Sequence, residues 1–160
     1  MDTGYRLKMV SQQIQPQVAL ALAVKLMYHY QQTLCRQKGK NNMITDAELH
    51  EFEQSIFTGV TVGVGSLVLL FSSGARVMIQ CPFQCGEKGH LHTGHGENLS
   101  TSNFLFPLLN QVVRRCSVVD GEILRLSFDN ERYIQVLPEN NGFESYVITT
   151  SYGDYPVITY

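Results

Sequence analysis

The stretch CPFQCGEKGHLHTGHGE, residues 81–97, gathers two of the chain's four cysteines and three of its five histidines. Thiolates and imidazoles at short chelate spacings are what a tetrahedral zinc site needs. Cys81, Cys85, His90 and His95 supply four such ligands as Cys-x3-Cys-x4-His-x4-His, with Gly86 and Gly89 available for tight turns between them. Two nearby thiols could also do redox chemistry. Cys81 and Cys85 lack the C-x-x-C spacing and the helix N-terminus that would lower a thiol pKa.

The spacing resembles the zinc knuckle, a small module that grips single-stranded nucleic acid. CGEKGH (85–90) carries the resemblance, with Phe83 in place of the stacking aromatic. It implies a zinc-containing nucleic-acid-binding or regulatory module centred on residues 81–95. The departures weigh against it. Three residues, Pro82 among them, separate the cysteines where the knuckle has two, and the fourth ligand is His95 where the knuckle has cysteine. Phosphate contacts supply most of such affinity, yet Lys88 is the one basic neighbour, against Glu87 and Glu97. His92 has no part in the motif. The preferred expectation is a Gly-rich polar loop over residues 84–99, with Cys81 and Phe83 packed at a strand end and no metal or cofactor.

No other residues form a catalytic kit. There is no G-x-S-x-G, and no Ser or Cys beside a candidate base. Gly63-Val64-Gly65 is a lone G-x-G without a flanking strand and helix. An enzyme is therefore not expected. What remains is a surface. Residues 120–160 hold seven carboxylates (Asp120, Glu122, Asp129, Glu131, Glu139, Glu144 and Asp154) against Arg125 and Arg132. Five of the eight tyrosines, Tyr133, Tyr146, Tyr152, Tyr155 and Tyr160, share that segment. Tyrosine is enriched at binding hot spots, and a negative field steers a basic partner. The candidate partner-binding set is Asp120, Glu122, Asp129, Glu131, Glu144, Tyr146, Tyr152, Asp154 and Tyr155.

These residues need elements to hold them. PQVALALAVKLMYHYQQTLCRQ (16–37) predicts a buried helix, with Pro16 in its first turn and Gly39 beyond its end. His29 falls at that helix's end, and Cys35 and Cys116 read as small core residues. Thr45 and Glu48 form a capping box for a second helix, with Leu49, Phe52 and Ile56 at helical spacing and TGVTVGVGS (58–66) as its glycine-rich stop. The pattern then turns to period two. Residues 66–83 predict two strands around a Ser-Ser-Gly turn, 100–113 a short helix interrupted by Pro107, 121–139 a second strand pair, and 143–160 a strand, a turn and a last short strand.

The two strand pairs match. With Phe71 on Phe128, the residues Leu67, Leu69, Val77 and Ile79 fall on Leu124, Leu126, Ile134 and Val136. This predicts an internal duplication.

A chain of 160 residues with 44% hydrophobic residues and a net charge of −2 fits one globular domain, large enough to fold without metal or disulfide. The expected layout is a single domain over 1–160, helical over 1–57 and a duplicated β part over 58–160. The N-terminus shows no signal segment, and VALALAVKLM (18–27) is too short for a bilayer. A cytoplasmic protein with reduced thiols is expected. The charge balance draws the chain to neither membranes nor nucleic acid.

Residues 55–150 also resemble a small bacterial domain built from two strand pairs. The matching positions are Phe71, Gly74, Pro82-Phe83, Phe128, Val136, Glu144 and Tyr146, while Glu131 stands where the second turn has glycine. Such domains occur among immunity proteins of bacterial toxin systems, including contact-dependent growth inhibition. The resemblance implies binding to a cognate toxin domain and no catalytic residues. The expected fold is α+β: two N-terminal helices packed on an antiparallel, pseudo-duplicated sheet or partly closed barrel. The expected partner is a basic toxin domain, such as a nuclease whose substrate groove is occluded. The sequence sets no oligomeric state.

Overall fold

The structure, a computed structural model, describes residues 44–160. The helix expected over 16–37, with His29 and Cys35, lies outside the described residues. The described residues cluster as one compact unit. Among the described residues no helix is long and apolar enough to cross a membrane.

The capping box forms as expected. The Glu48 carboxylate accepts from both the backbone N–H and the hydroxyl of Thr45, at 2.7 and 2.8 Å. The helix it starts is short: α1 is Asp46–Leu49, followed by a 3-10 turn, His50–Phe52. Leu49 and Phe52 are buried as the spacing required, but Gln54 at φ 62° ends the run before Ile56. The glycine-rich stretch after it is not a stop. Phe57–Gly63 is strand β1, in which Val60 turns to the core, and Gly65 at φ +83° makes the tight turn into β2, Ser66–Phe71. Threonine and valine alternation outweighs the glycines there.

The predicted strand pairs follow: β2 with β3 (Arg76–Ile79), and β7 (Ile123–Ser127) with β8 (Arg132–Val136). The expected loop over 84–99 is instead mostly a hairpin, β4 (Pro82–Glu87) and β5 (His90–His95), turned by Lys88-Gly89 with Gly89 at φ +93°. Phe83 and Cys85 point inward on β4, an alternation masked by the glycines and histidines around it. The helix expected over 100–113 is a 3-10 run, Leu99–Leu108, in which Pro107 removes a backbone donor. The chain then extends into a strand the sequence reading missed, β6, Arg115–Val119. The tail forms β9, Glu144–Thr150, and β10, Gly153–Ile158.

The strands make two antiparallel five-stranded sheets, ordered β1-β2-β3-β9-β10 and β5-β4-β8-β7-β6. Both remain open, so there is no closed barrel. Their buried faces meet in one hydrophobic core, where Phe57 lies 5.4 Å from Phe71 and 6.2 Å from Phe128 between ring centroids.

The order reveals how the duplication is built. Each three-stranded meander is completed by the hairpin that follows the other one. Meander β1-β2-β3 takes β9-β10, and meander β6-β7-β8 takes β4-β5. The registers agree: Ile79 pairs with Tyr146 and Val77 with Ile148, while Val136 pairs with Phe83 and Ile134 with Cys85. The two copies meet where Ile56 bridges Val112, with Phe57 N–H donating to Gln111 and Val113 N–H to Ser55. Antiparallel pairing of equivalent segments is what a two-fold relation requires.

Candidate functional site

The duplication supplies an internal comparison for the Cys/His stretch. Phe83 and Cys85 occupy in the second sheet the positions of Tyr146 and Ile148 in the first, and all four are fully buried. Cys85 is thus a core residue where the other copy has isoleucine. Its thiol donates to the Phe104 carbonyl at 3.3 Å, and burial pushes its pKa up to about 11. Burial likewise pushes Cys81 up to about 12 and holds Cys116 above the thiol range.

The histidines are not aimed at the thiols as a set. His95 pairs with Pro82 on the outer face of its sheet and lies 3.9 Å from Glu139, whereas Cys85 points inward. His90 is exposed at the hairpin's end beside Glu87. Among the described residues no three His, Cys, Asp or Glu side chains converge on a common point. The four residues of the zinc reading, Cys81, Cys85, His90 and His95, are thus not brought together as one group. His92, left without a role by the motif, stacks on Phe104 at 4.9 Å. Gly94 and Gly96 also have structural tasks. A Cβ on Gly94 would meet the Phe83 ring at 2.4 Å, and one on Gly96 the Ile79 carbonyl oxygen at 2.1 Å.

The nine candidate partner-binding residues do not form one face. Asp120 and Glu122 lie at the β6–β7 turn, and Asp129 and Glu131 at the β7–β8 turn, at opposite ends of β7. Five strand residues separate them by about 16 Å. Asp129 is already satisfied: Arg114 donates to both its oxygens at 2.8 Å, which holds its carboxyl below the usual range. Tyr146 is fully buried, its hydroxyl bonded to the Glu122 carbonyl. Tyr155 is also buried and donates to the Glu48 carboxylate. These two tyrosines are core residues and offer nothing to a partner. Tyr152 is exposed, at the rim of a shallow cleft of about 400 Å³ between α1 and the turns of the first sheet. Glu51, which the sequence reading did not single out, lines that cleft and accepts from the Ser151 N–H and hydroxyl.

Glu144 and Asp154 remain, and they share a surface. On the outer face of the first sheet, Thr61, Val68, Met78, Val147 and Pro156 lie side by side across all five strands in register. Leu70 and Ile158 flank that row. In the second sheet the equivalent row is Ser117, Arg125, Gln135, Gln84 and Thr93. The two rows occupy the same backbone positions of one repeated architecture. One is apolar in four of five places; the other is polar in all five. Solvated faces of antiparallel sheets are normally polar, so the second sheet shows what water selects here and the first departs from it.

Charge borders the apolar row. Arg76 and Asp154 stand in the neighbouring row, with the Thr149 hydroxyl bonded to Asp154 at 2.7 Å. Glu144 pairs with Ile158 at the far end of β9. Its carboxyl is held above the usual range, first by burial and then by the charge of Asp154. Beyond it, Phe143 and the terminal Tyr160 are exposed, Tyr160 lying over Gly142. An apolar centre with a polar, partly acidic rim has the anatomy of a protein interface.

No family model, curated protein or solved structure matches this chain.

Proposed function

We propose that this chain is an immunity protein that acts in the cytoplasm, binding a cognate bacterial toxin domain and occluding a basic substrate groove, such as that of a nuclease. The docking surface is the outer face of the first sheet. The observation that supports it is the divergence between equivalent rows: Val68, Met78, Val147 and Pro156 where the second sheet has Arg125, Gln135, Gln84 and Thr93. Apolar burial drives such an association. Glu144 and Asp154 at the rim supply the negative charge that a basic groove would meet. A lysine or arginine placed between them would relieve their mutual repulsion, which favours that class of partner over a neutral one.

The test is a growth assay. The C-terminal domain of the protein encoded immediately upstream is expressed in a bacterial host with and without this chain. Growth arrest relieved by this chain supports immunity. A neighbour that arrests growth regardless of this chain, or that is harmless, counts against it.

A further inference from the structure

We infer that β1 is a docking edge for a second copy of this chain, the two β1 strands pairing antiparallel about Thr61. This contact is separate from the outer face proposed above and does not rest on that reading. Gly59-Val60-Thr61-Val62-Gly63 reads the same in both directions. An isologous contact sets each residue against its symmetry-related position. Pairing about Thr61 therefore places Thr61 on Thr61, Val60 on Val62 and Gly59 on Gly63 of the other copy.

The backbone agrees. Gly63 and Ser66 close the two-residue turn Val64-Gly65, so they form a hydrogen-bonded pair. Such pairs alternate along an antiparallel ladder. Thr61 therefore also bonds to β2, while Val60 and Val62 turn their N–H and C=O groups away from it. Those are the groups a strand centred on Thr61 would bond: Val60 to Val62 of the second copy, and Val62 to its Val60. Thr61 then faces Thr61 as the closer, non-hydrogen-bonded pair, a favourable cross-strand match.

Among the described residues this edge is open past Phe57. The register shift between Phe57 and Gly59 turns Phe57 outward, where its N–H donates to the Gln111 carbonyl and its carbonyl accepts from the Asn110 N–H. No described strand continues alongside residues 58–63. Thr58 and Thr61 are exposed, and Val62, on the inner face with Leu67, is 43% exposed.

The other sheet edges carry devices that block strand addition. β10 has Asp154, Pro156 and a register shift. On β5 the Thr101 hydroxyl takes both the N–H and the C=O of His95. On β6, Arg115 is exposed, and the Cys116 N–H donates to the Glu53 carboxylate at 3.4 Å. β6 is the equivalent of β1 in the duplication, with Arg115 in the place of Gly59 and Cys116 in that of Val60. Gln54 and Asn110 match as well, both at positive φ, so Leu109 stands where Glu53 does and offers no side-chain acceptor. From Gln54 to Ala75 the chain has no charged residue and no proline. An uncharged edge suits a second copy in particular, because an isologous contact sets edge charges near their own images.

The test is sedimentation equilibrium of the full chain from about 1 to about 500 µM. A monomer–dimer equilibrium with a Kd of about 50 µM is expected for a contact smaller than a standard interface. Val62→Pro removes an N–H that points away from β2, as edge strands tolerate, and should weaken dimerisation about tenfold or more. Thr61→Lys, at an exposed position, sets like charges face to face and should do the same. Thr61→Cys in a Cys35→Ser background should cross-link two copies under a mild oxidant, since a non-hydrogen-bonded pair brings Cα atoms to about 4.5 Å. Thr58→Cys should not. A full chain that stays monomeric throughout overturns the proposal, whether residues 1–43 or a foreign strand hold the edge instead. A dimer unchanged in folded Val62→Pro and Thr61→Lys variants, or one that Thr61→Cys does not cross-link, overturns it as well.

Discussion

At the scale of single residues, the Cys/His stretch shows how a ligand-like spacing arises from packing. Cys85 fills an isoleucine position, Gly94 makes room for the Phe83 ring, and Gly96 for the Ile79 carbonyl. The buried thiols carry a pH signature. In the unfolded chain a cysteine ionises near pH 8.5. In the fold Cys85 stays protonated to about 11 and Cys81 to about 12, and Cys116 is also raised. Above pH 8.5 the unfolded state therefore holds fewer protons than the native one, and stability falls as pH rises. Each ionising cysteine contributes a slope of up to about 1.4 kcal/mol per pH unit. Urea unfolding should give a clearly lower free energy at pH 10 than at pH 8; equal values would contradict the burial of these thiols. A second prediction concerns Glu131. With Asn130 at φ 59° and Glu131 at φ 56°, the β7–β8 turn holds two residues in the left-handed region. Asn-Gly is the favoured sequence for such a hairpin turn. Glu131→Gly should raise stability by about 1 kcal/mol, and a lower melting temperature would refute that account of the turn.

At the scale of elements, the sequence was legible where alternation was uninterrupted. Leu67, Leu69, Val77 and Ile79 predicted β2 and β3, and their counterparts predicted β7 and β8, because one apolar residue in two fixes both period and face. The capping box also held, since Thr45 and Glu48 need only each other. Four strands were hidden. β1, β4 and β5 carry glycines whose positions serve turns and close approach, and β6 follows directly from an extended segment after Pro107. The exchange of hairpins was beyond reach, because no local pattern says which meander a hairpin will join. That exchange has a consequence. Without β9 and β10, strand β3 becomes an edge and the Tyr146 and Ile148 layer is lost from over Val77 and Ile79. A chain ending at residue 142 should lose cooperative unfolding in both sheets, because they share one core. A truncated chain that kept a sharp thermal transition would contradict a single shared core.

At the scale of the whole molecule, the two sheets have diverged in what their outer faces present. The candidate site was only partly legible for the same reason. Glu144 and Asp154 were singled out by the acidic bias of the C-terminal quarter, but Val68, Met78 and Val147 read as ordinary strand residues until the second copy showed what stands in their places. Tyr146 and Tyr155 were misread because strand propensity and interface propensity favour the same ring. The duplication also supplies substitutions with a built-in folding control. Val68→Arg, Met78→Gln and Val147→Gln place on the first sheet the residues that Arg125, Gln135 and Gln84 already occupy in the second. Loss of folding in this triple variant would contradict the reading, since the face would then be an internal one.

The most direct measurement is the affinity of the proposed partner, the C-terminal domain of the protein encoded immediately upstream, for the wild-type chain and for this triple variant, each checked by its melting temperature. The account predicts a variant that melts as a folded protein and binds about 100-fold more weakly, the scale expected when apolar interface anchors are removed. A folded variant that binds as tightly as the wild type would contradict it.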